Sequence, residues 1–102
     1  MNEEDTVPLA ELTEALLDKP TLMQLAADVR AHTELLDVLV KGGARRRTDG
    51  KPVELEAALE SLLQREVVGV QIRYRWQEDE WRDTLFHTPE GIKLVRTKLD
   101  FV

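Results

Sequence analysis

The fold class is decided by a stretch in the C-terminal half of the chain, Val67-Val68-Gly69-Val70-Gln71-Ile72-Arg73-Tyr74-Arg75-Trp76. β-Branched and aromatic residues alternate here with polar ones, which is typical of a strand that buries one face. All five aromatic residues of the chain lie at or after Tyr74. The first 73 residues are instead rich in Leu, Ala, Val, Glu and Asp, a composition that suits helices. The sequence therefore predicts a helical N-terminal part followed by a sheet.

Turn and breaker signals divide the chain into six predicted elements in one domain of 102 residues. Helices are predicted over 7–17, 22–40 and 53–65, strands over 67–76, 80–87 and 92–98, and disorder over 1–5. Because the strands follow the helices without alternating with them, the predicted class is α+β. The predicted architecture is three N-terminal helices packed on a C-terminal three-stranded antiparallel meander.

The predicted helix over 22–40 has more apolar surface than one neighbour can cover. One stripe on the helical wheel contains Leu22, Leu25, Ala26, Val29, Leu36 and Val40, while Leu35, Val38 and Leu39 lie elsewhere on the wheel. A helix that is apolar on most sides needs neighbours on more than one side. A second subunit would supply one of them, so we expect a homodimer rather than a monomer.

The first predicted hairpin has a turn at Glu78-Asp79 or a loop over 77–80, and either places Trp76 opposite Trp81. On the other face, the same register places Arg75 opposite Arg82, with Arg73 nearby. These three arginines repel one another, and an acidic partner would relieve the repulsion. We therefore expect a partner protein to bind Arg73, Arg75 and Arg82, with the Trp76–Trp81 end as an apolar anchor.

A second basic segment is Arg45-Arg46-Arg47, in a predicted loop beside Gly42-Gly43. Arginine forks suit oxyanions, so these residues are a possible anion site, although short charge runs are more often solvated loops. Asp28 and His32, one helical turn apart, have a spacing that can ligate a metal, but no third ligand accompanies them. The sequence predicts no catalytic residues, no metal site and no cofactor.

Composition and charge restrict the function further. The net charge of −6 argues against general binding of nucleic acid. The chain has no cysteine, and hence no disulfide or thiolate chemistry. The acidic N-terminus is not followed by an apolar region, so we expect no secretory signal, no membrane span and a cytoplasmic location.

These observations favour a small non-enzymatic accessory module that binds a partner protein through its sheet. One alternative is a nucleic-acid-binding protein of winged-helix type, because helices precede a hairpin. Four acids and one base between residues 53 and 66 argue against that role. A second alternative is a small-ligand binder or enzyme with a pocket between helices and sheet.

Overall fold

The structure is a computed structural model that describes residues 13–42 and 54–99. In chain order they form β1 (Thr13–Leu17), α1 (Lys19–His32), β2 (Glu34–Lys41), α2 (Leu55–Leu63), β3 (Gly69–Trp76), β4 (Asp79–Thr88) and β5 (Gly91–Leu99). The strands form one antiparallel sheet in the order β1-β5-β4-β3-β2. Strands β1 and β2 are therefore its two edges, and α1, which joins them, crosses the full width of the sheet.

The predicted set of three N-terminal helices on a three-stranded meander is wrong, because the described residues form two helices and a five-stranded sheet. Within the helix predicted over 7–17, residues 13–17 are strand β1. Alanine and leucine at 15–17 favour helix locally, but by at most about 0.7 kcal/mol per residue. Pairing with β5 along all five residues outweighs that preference. Residues 1–12, including the segment predicted to be disordered, lie outside the described residues.

The helix predicted over 22–40 ends at His32, and its last third is strand β2. Asp18 caps the start of α1, where its carboxylate accepts a hydrogen bond of 2.9 Å from the backbone N–H of Thr21. Thr33 ends the helix in an extended conformation, and its hydroxyl donates to the carbonyl of Val29 at 2.7 Å. β-Branched Val38 and Val40 then continue in a strand.

Helix α2 and the three C-terminal strands lie within about two residues of the predicted bounds, but the register of the first hairpin differs. Gln77 and Glu78 form the turn with φ of 54° and 73°, as a two-residue hairpin of the I′ type requires. Trp81 therefore lies opposite Tyr74 rather than Trp76, and Arg82 lies opposite Arg73 rather than Arg75. Because this shift is two residues, every side chain stays on its predicted face.

Both helices pack on one face of the sheet. Their buried residues are Leu22, Ala26 and Val29 of α1 and Leu55, Ala58, Leu59 and Leu62 of α2. They meet buried residues of the three central strands: Val70, Ile72, Tyr74, Trp81, Leu85, Ile92 and Leu94. The helices therefore cover one face of the sheet and leave the opposite face uncovered by them.

Candidate protein-binding face

The open face is the side of the sheet opposite the two helices, and no described element packs on it. Side chains reach it from alternate positions of each strand, because successive residues of a strand point to opposite faces. Its main residues are Glu14 and Leu16 of β1, Glu34, Asp37, Leu39 and Lys41 of β2, Gln71, Arg73 and Arg75 of β3, Glu80, Arg82, Thr84 and Phe86 of β4, and Lys93, Val95 and Thr97 of β5.

The three arginines of the predicted partner surface all lie on the open face, but they are not equally compensated. Arg75 donates to the carboxylate of Glu34 at 2.9 Å across the β2–β3 ladder. Arg73 forms an ion pair with Glu80. Arg82 lies opposite Arg73 and forms no ion pair with any residue of the two described segments. Like charges directly opposite in a ladder are destabilising, so Arg82 is the cation that an acidic ligand would neutralise.

Apolar side chains accompany the arginines on the same face. Leu39 is 45% exposed and Leu16 is 56% exposed, at opposite edges of the sheet. Phe86 and Val95 lie between them and are half-buried. A surface of this kind, with apolar and aromatic side chains beside arginine, has the composition that protein interfaces favour.

The two tryptophans of the predicted anchor lie on the helix-covered face, not on the open face. Trp81 is 1% exposed and belongs to the core, while Trp76 is half-buried and packs against that core. The indole N–H of Trp81 has no hydrogen-bond partner among the described residues. Apolar contact on the open face therefore has to come from Leu39, Phe86 and their neighbours.

A buried polar network beneath the helices was not foreseen from the sequence. Asp83 is fully buried and accepts three hydrogen bonds, from the Tyr74 hydroxyl at 3.0 Å and from Arg96 Nε and Nη2 at 2.9 and 2.8 Å. Burial alone would lower the pKa of Arg96, but the hydrogen bonds and charge of Asp83 raise it overall. With three donors to its carboxylate, Asp83 serves as a structural counter-ion to Arg96.

One signal for this network is present in the sequence. Asp83 stands between Trp81 and Leu85 in the alternation of β4, at a position that faces the core. A carboxylate there requires a partner, because buried charges are almost always paired. Its partner Arg96 lies directly opposite on β5. That assignment needs the register of the second hairpin, whereas the alternation of β3 alone places Tyr74 on the same face as Ile72 and Trp76.

Tyr74 gives the network a dependence on alkaline pH. Burial, followed by the negative charge of Asp83, raises the pKa of the Tyr74 hydroxyl well above its usual value of 10.0. A group whose pKa is higher in the folded state stabilises the fold fully below its unfolded pKa, and loses that contribution as pH rises above it. We expect the free energy of unfolding to fall above about pH 10 and this fall to be reduced in Tyr74→Phe. Tyr74 is the chain's one tyrosine, so tyrosinate absorbance measures its ionisation directly.

Ionisation near pH 10, with the far-ultraviolet circular dichroism of the folded protein retained, would place the hydroxyl in water. The assignment of Tyr74 to a buried hydrogen bond with Asp83 would then be wrong.

Two other groups of residues were considered as sites from the sequence, the three consecutive arginines and the pair Asp28 and His32. Arg45, Arg46 and Arg47 lie outside the described residues. Asp28 and His32 are exposed on α1, where the Asp28 carboxylate accepts a hydrogen bond from the side chain of Gln24 at 2.9 Å. Within residues 13–42 and 54–99, no three His, Asp or Glu side chains are grouped so that they could hold a metal ion.

Neither described helix has the length and apolar character needed to cross a membrane. The chain matches no protein-family model, and searches of curated proteins and of solved structures found no match either.

Proposed function

We propose that the protein is a small non-enzymatic interaction module that binds an acidic partner protein through its open face. The observation that carries the proposal is Arg82, which lies opposite Arg73 with no acid to neutralise it among the described residues. In an isolated domain, replacing Arg82 by an uncharged residue would remove its repulsion from Arg73. A partner carboxylate beside Arg82 would instead neutralise its charge.

The charge arrangement defines the chemistry of the partner. Arg73 pairs with Glu80, and Arg75 pairs with Glu34. Arg82 is therefore the arginine of the three whose guanidinium is available to an acidic group of the partner. The planar fork of an arginine binds a carboxylate in a bidentate manner, which fixes the orientation of the partner as well as its charge. An acidic side chain at the centre of the partner's contact surface would therefore fit here.

The apolar residues define the rest of the contact. Val95 lies opposite Thr84, and Phe86 lies opposite Lys93, so apolar and polar side chains alternate across the central strands. Burial of such side chains contributes about 25 cal/mol per Å² of apolar surface before the costs of association. We therefore expect the acidic group of the partner to be surrounded by aliphatic residues.

The test uses a photo-crosslinking residue at Thr97, which lies opposite Arg82 on the open face. We expect covalent capture of one acidic protein, which is then purified and its affinity measured by calorimetry. Arg82→Glu should weaken that affinity by at least about tenfold, equivalent to 1.4 kcal/mol, because it replaces attraction by repulsion. The affinity of the parent chain should also fall as salt is added.

Lys19→Glu is the matched control, because it makes the same charge change at an exposed position at the start of α1. It should leave the affinity unchanged. The proposal fails if Arg82→Glu binds as tightly as the parent. It also fails if a crosslinker at Gln24, on the exposed side of α1, captures the same protein as efficiently.

A further inference from the structure

The outer edge of β2 offers a second interaction surface, which borders the open face. One side of β2 pairs with β3, and no described strand pairs with its other side. An unpaired edge presents a row of backbone donors and acceptors on which another strand can add. Among the described residues, strand β2 has eight residues against five for β1, so it presents the longer described edge.

The ladder of β2 is regular only over residues 37–41. A register shift between Leu35 and Asp37 marks a β-bulge, after which Val38 and Val40 face the helices while Asp37, Leu39 and Lys41 face the open side. The regular segment thus has an acid at one end, a base at the other and an exposed leucine at its centre.

This segment is complementary to itself. If two copies pair antiparallel with Leu39 at the centre, Asp37 of each copy lies opposite Lys41 of the other. Val38 lies opposite Val40 on the helix-covered face, and the two Leu39 side chains meet on the two-fold axis. Opposite charges and branched aliphatic residues are favourable cross-strand pairs, each contributing roughly 0.2–1 kcal/mol.

No other register gives the same match. A centre at Val38 or Val40 shortens the paired segment and separates Asp37 from Lys41. A centre between two residues would place side chains from opposite faces across from each other, which a ladder does not allow. The other edge also lacks the pattern, because pairing β1 about Ala15 would set Glu14 against Leu16.

We propose that two copies of the chain join antiparallel through β2 and form one continuous ten-stranded sheet. The contact uses the same segment on both copies, so it closes as a two-fold dimer and does not extend into a filament. Paired residues in a ladder share a face, so the helices of both copies lie on one side. Two copies of the open face then lie side by side on the other.

The test compares two single charge changes, separately and mixed. Lys41→Asp sets two acids opposite each other at both ends of the segment, and Asp37→Lys sets two bases opposite each other. We expect light scattering to give twice the chain mass of 11.7 kDa for the parent and the chain mass for each variant alone. An equimolar mixture of the variants restores both opposite-charge pairs, so it should return to the double mass.

The variants also have folding controls. Lys41 lies opposite Gly69, which has no side chain, so the Lys41→Asp monomer should still unfold in one cooperative thermal transition. Asp37 lies opposite Arg73, and if Asp37→Lys does not fold, Leu39→Lys replaces it by setting two cations on the axis. Lys19→Asp, at the start of α1 and next to the opposite edge strand β1, should remain dimeric.

Three results would overturn the proposal. They are a parent chain that stays monomeric at high micromolar concentration, a Lys41→Asp variant that stays dimeric, and folded variants whose mixture stays monomeric. A different protein paired with β2 in place of a second copy would appear as the first of these.

Discussion

Asp83→Asn should lower the free energy of unfolding by about 3–5 kcal/mol, the loss expected when one partner of a buried ion pair is removed. The substitution keeps the size of the side chain but leaves Arg96, which is 11% exposed, without its counter-charge. The asparagine amide also places hydrogen-bond donors where Asp83 accepts bonds from Tyr74 and Arg96. Urea denaturation followed by circular dichroism measures the change.

Asp79→Asn is the matched control, because Asp79 also pairs with a base across the same ladder, but at the surface. Its contact with Lys98 is 3.6 Å long and both side chains are well exposed. The loss there should be below about 1 kcal/mol. Equal losses for the two variants would show that the burial of Asp83 does not determine how much it contributes to the free energy of unfolding.

A combined variant distinguishes the cost of leaving the charge of Arg96 unpaired from the loss of its attraction to Asp83. Asp83→Leu with Arg96→Met and Tyr74→Phe replaces the whole network by apolar side chains. Such replacements are often neutral or stabilising, so the combined variant should be more stable than Asp83→Asn. If it is less stable, the network contributes net stability to the fold.

Trp81→Ala should lower the free energy of unfolding by about 3–5 kcal/mol, because Trp81 is a large fully buried side chain. The indole is surrounded by the core, and its removal leaves a cavity between the sheet and the helices. Trp76→Ala should cost less than half as much, since Trp76 is only half-buried at the end of β3. Both values come from urea denaturation at one temperature.

Trp81→Phe tests the same site more finely. It retains most of the packing and removes an indole N–H that has no partner among the described residues. Loss of an unpaired buried donor offsets part of the lost apolar contact, so the cost should lie well below that of Trp81→Ala. A small loss for Trp81→Ala itself would contradict the position of Trp81 in the core.

The C-terminal half of the fold could be predicted from the sequence because its side-chain period is unambiguous. Alternation from Val70 to Trp76 identifies a strand, and the turn at 88–91 identifies the next hairpin. The face of the sheet on which the arginines lie was predicted correctly although the register was not. A shift of two residues keeps every side chain on its face. The exact turn could not be read, because neither Gln77 nor Glu78 is a residue that typically adopts positive φ.

The edge strands were wrongly predicted as helices, because local preference and tertiary pairing disagree there. Segment 13–17 contains alanine and two leucines, which are good helix formers. Segment 34–41 carried a usable signal, since Leu35, Val38 and Leu39 did not fit the apolar stripe of the helix predicted over 22–40. Those residues fit a strand that has one side against the helices and the other on the open face. The excess apolar surface that suggested a second subunit thus belongs to a strand at the edge of the sheet.

The candidate site was predictable only in part. Arg73, Arg75 and Arg82 share one face through simple alternation. Their acidic neighbours could not be fully assigned, because Glu34 lies on a strand that was predicted as helix. The apolar contribution of Leu39 was missed for the same reason.

The neighbouring positions of β1 and β5 have a consequence for how the chain folds. Thr13, in the first strand, pairs with Arg96, in the last. Pairing of segments so distant in sequence requires closure of a loop that includes nearly the whole domain, and such topologies fold slowly for their size. During synthesis, β1 therefore has no pairing partner until Gly91–Leu99 of β5 have emerged from the ribosome.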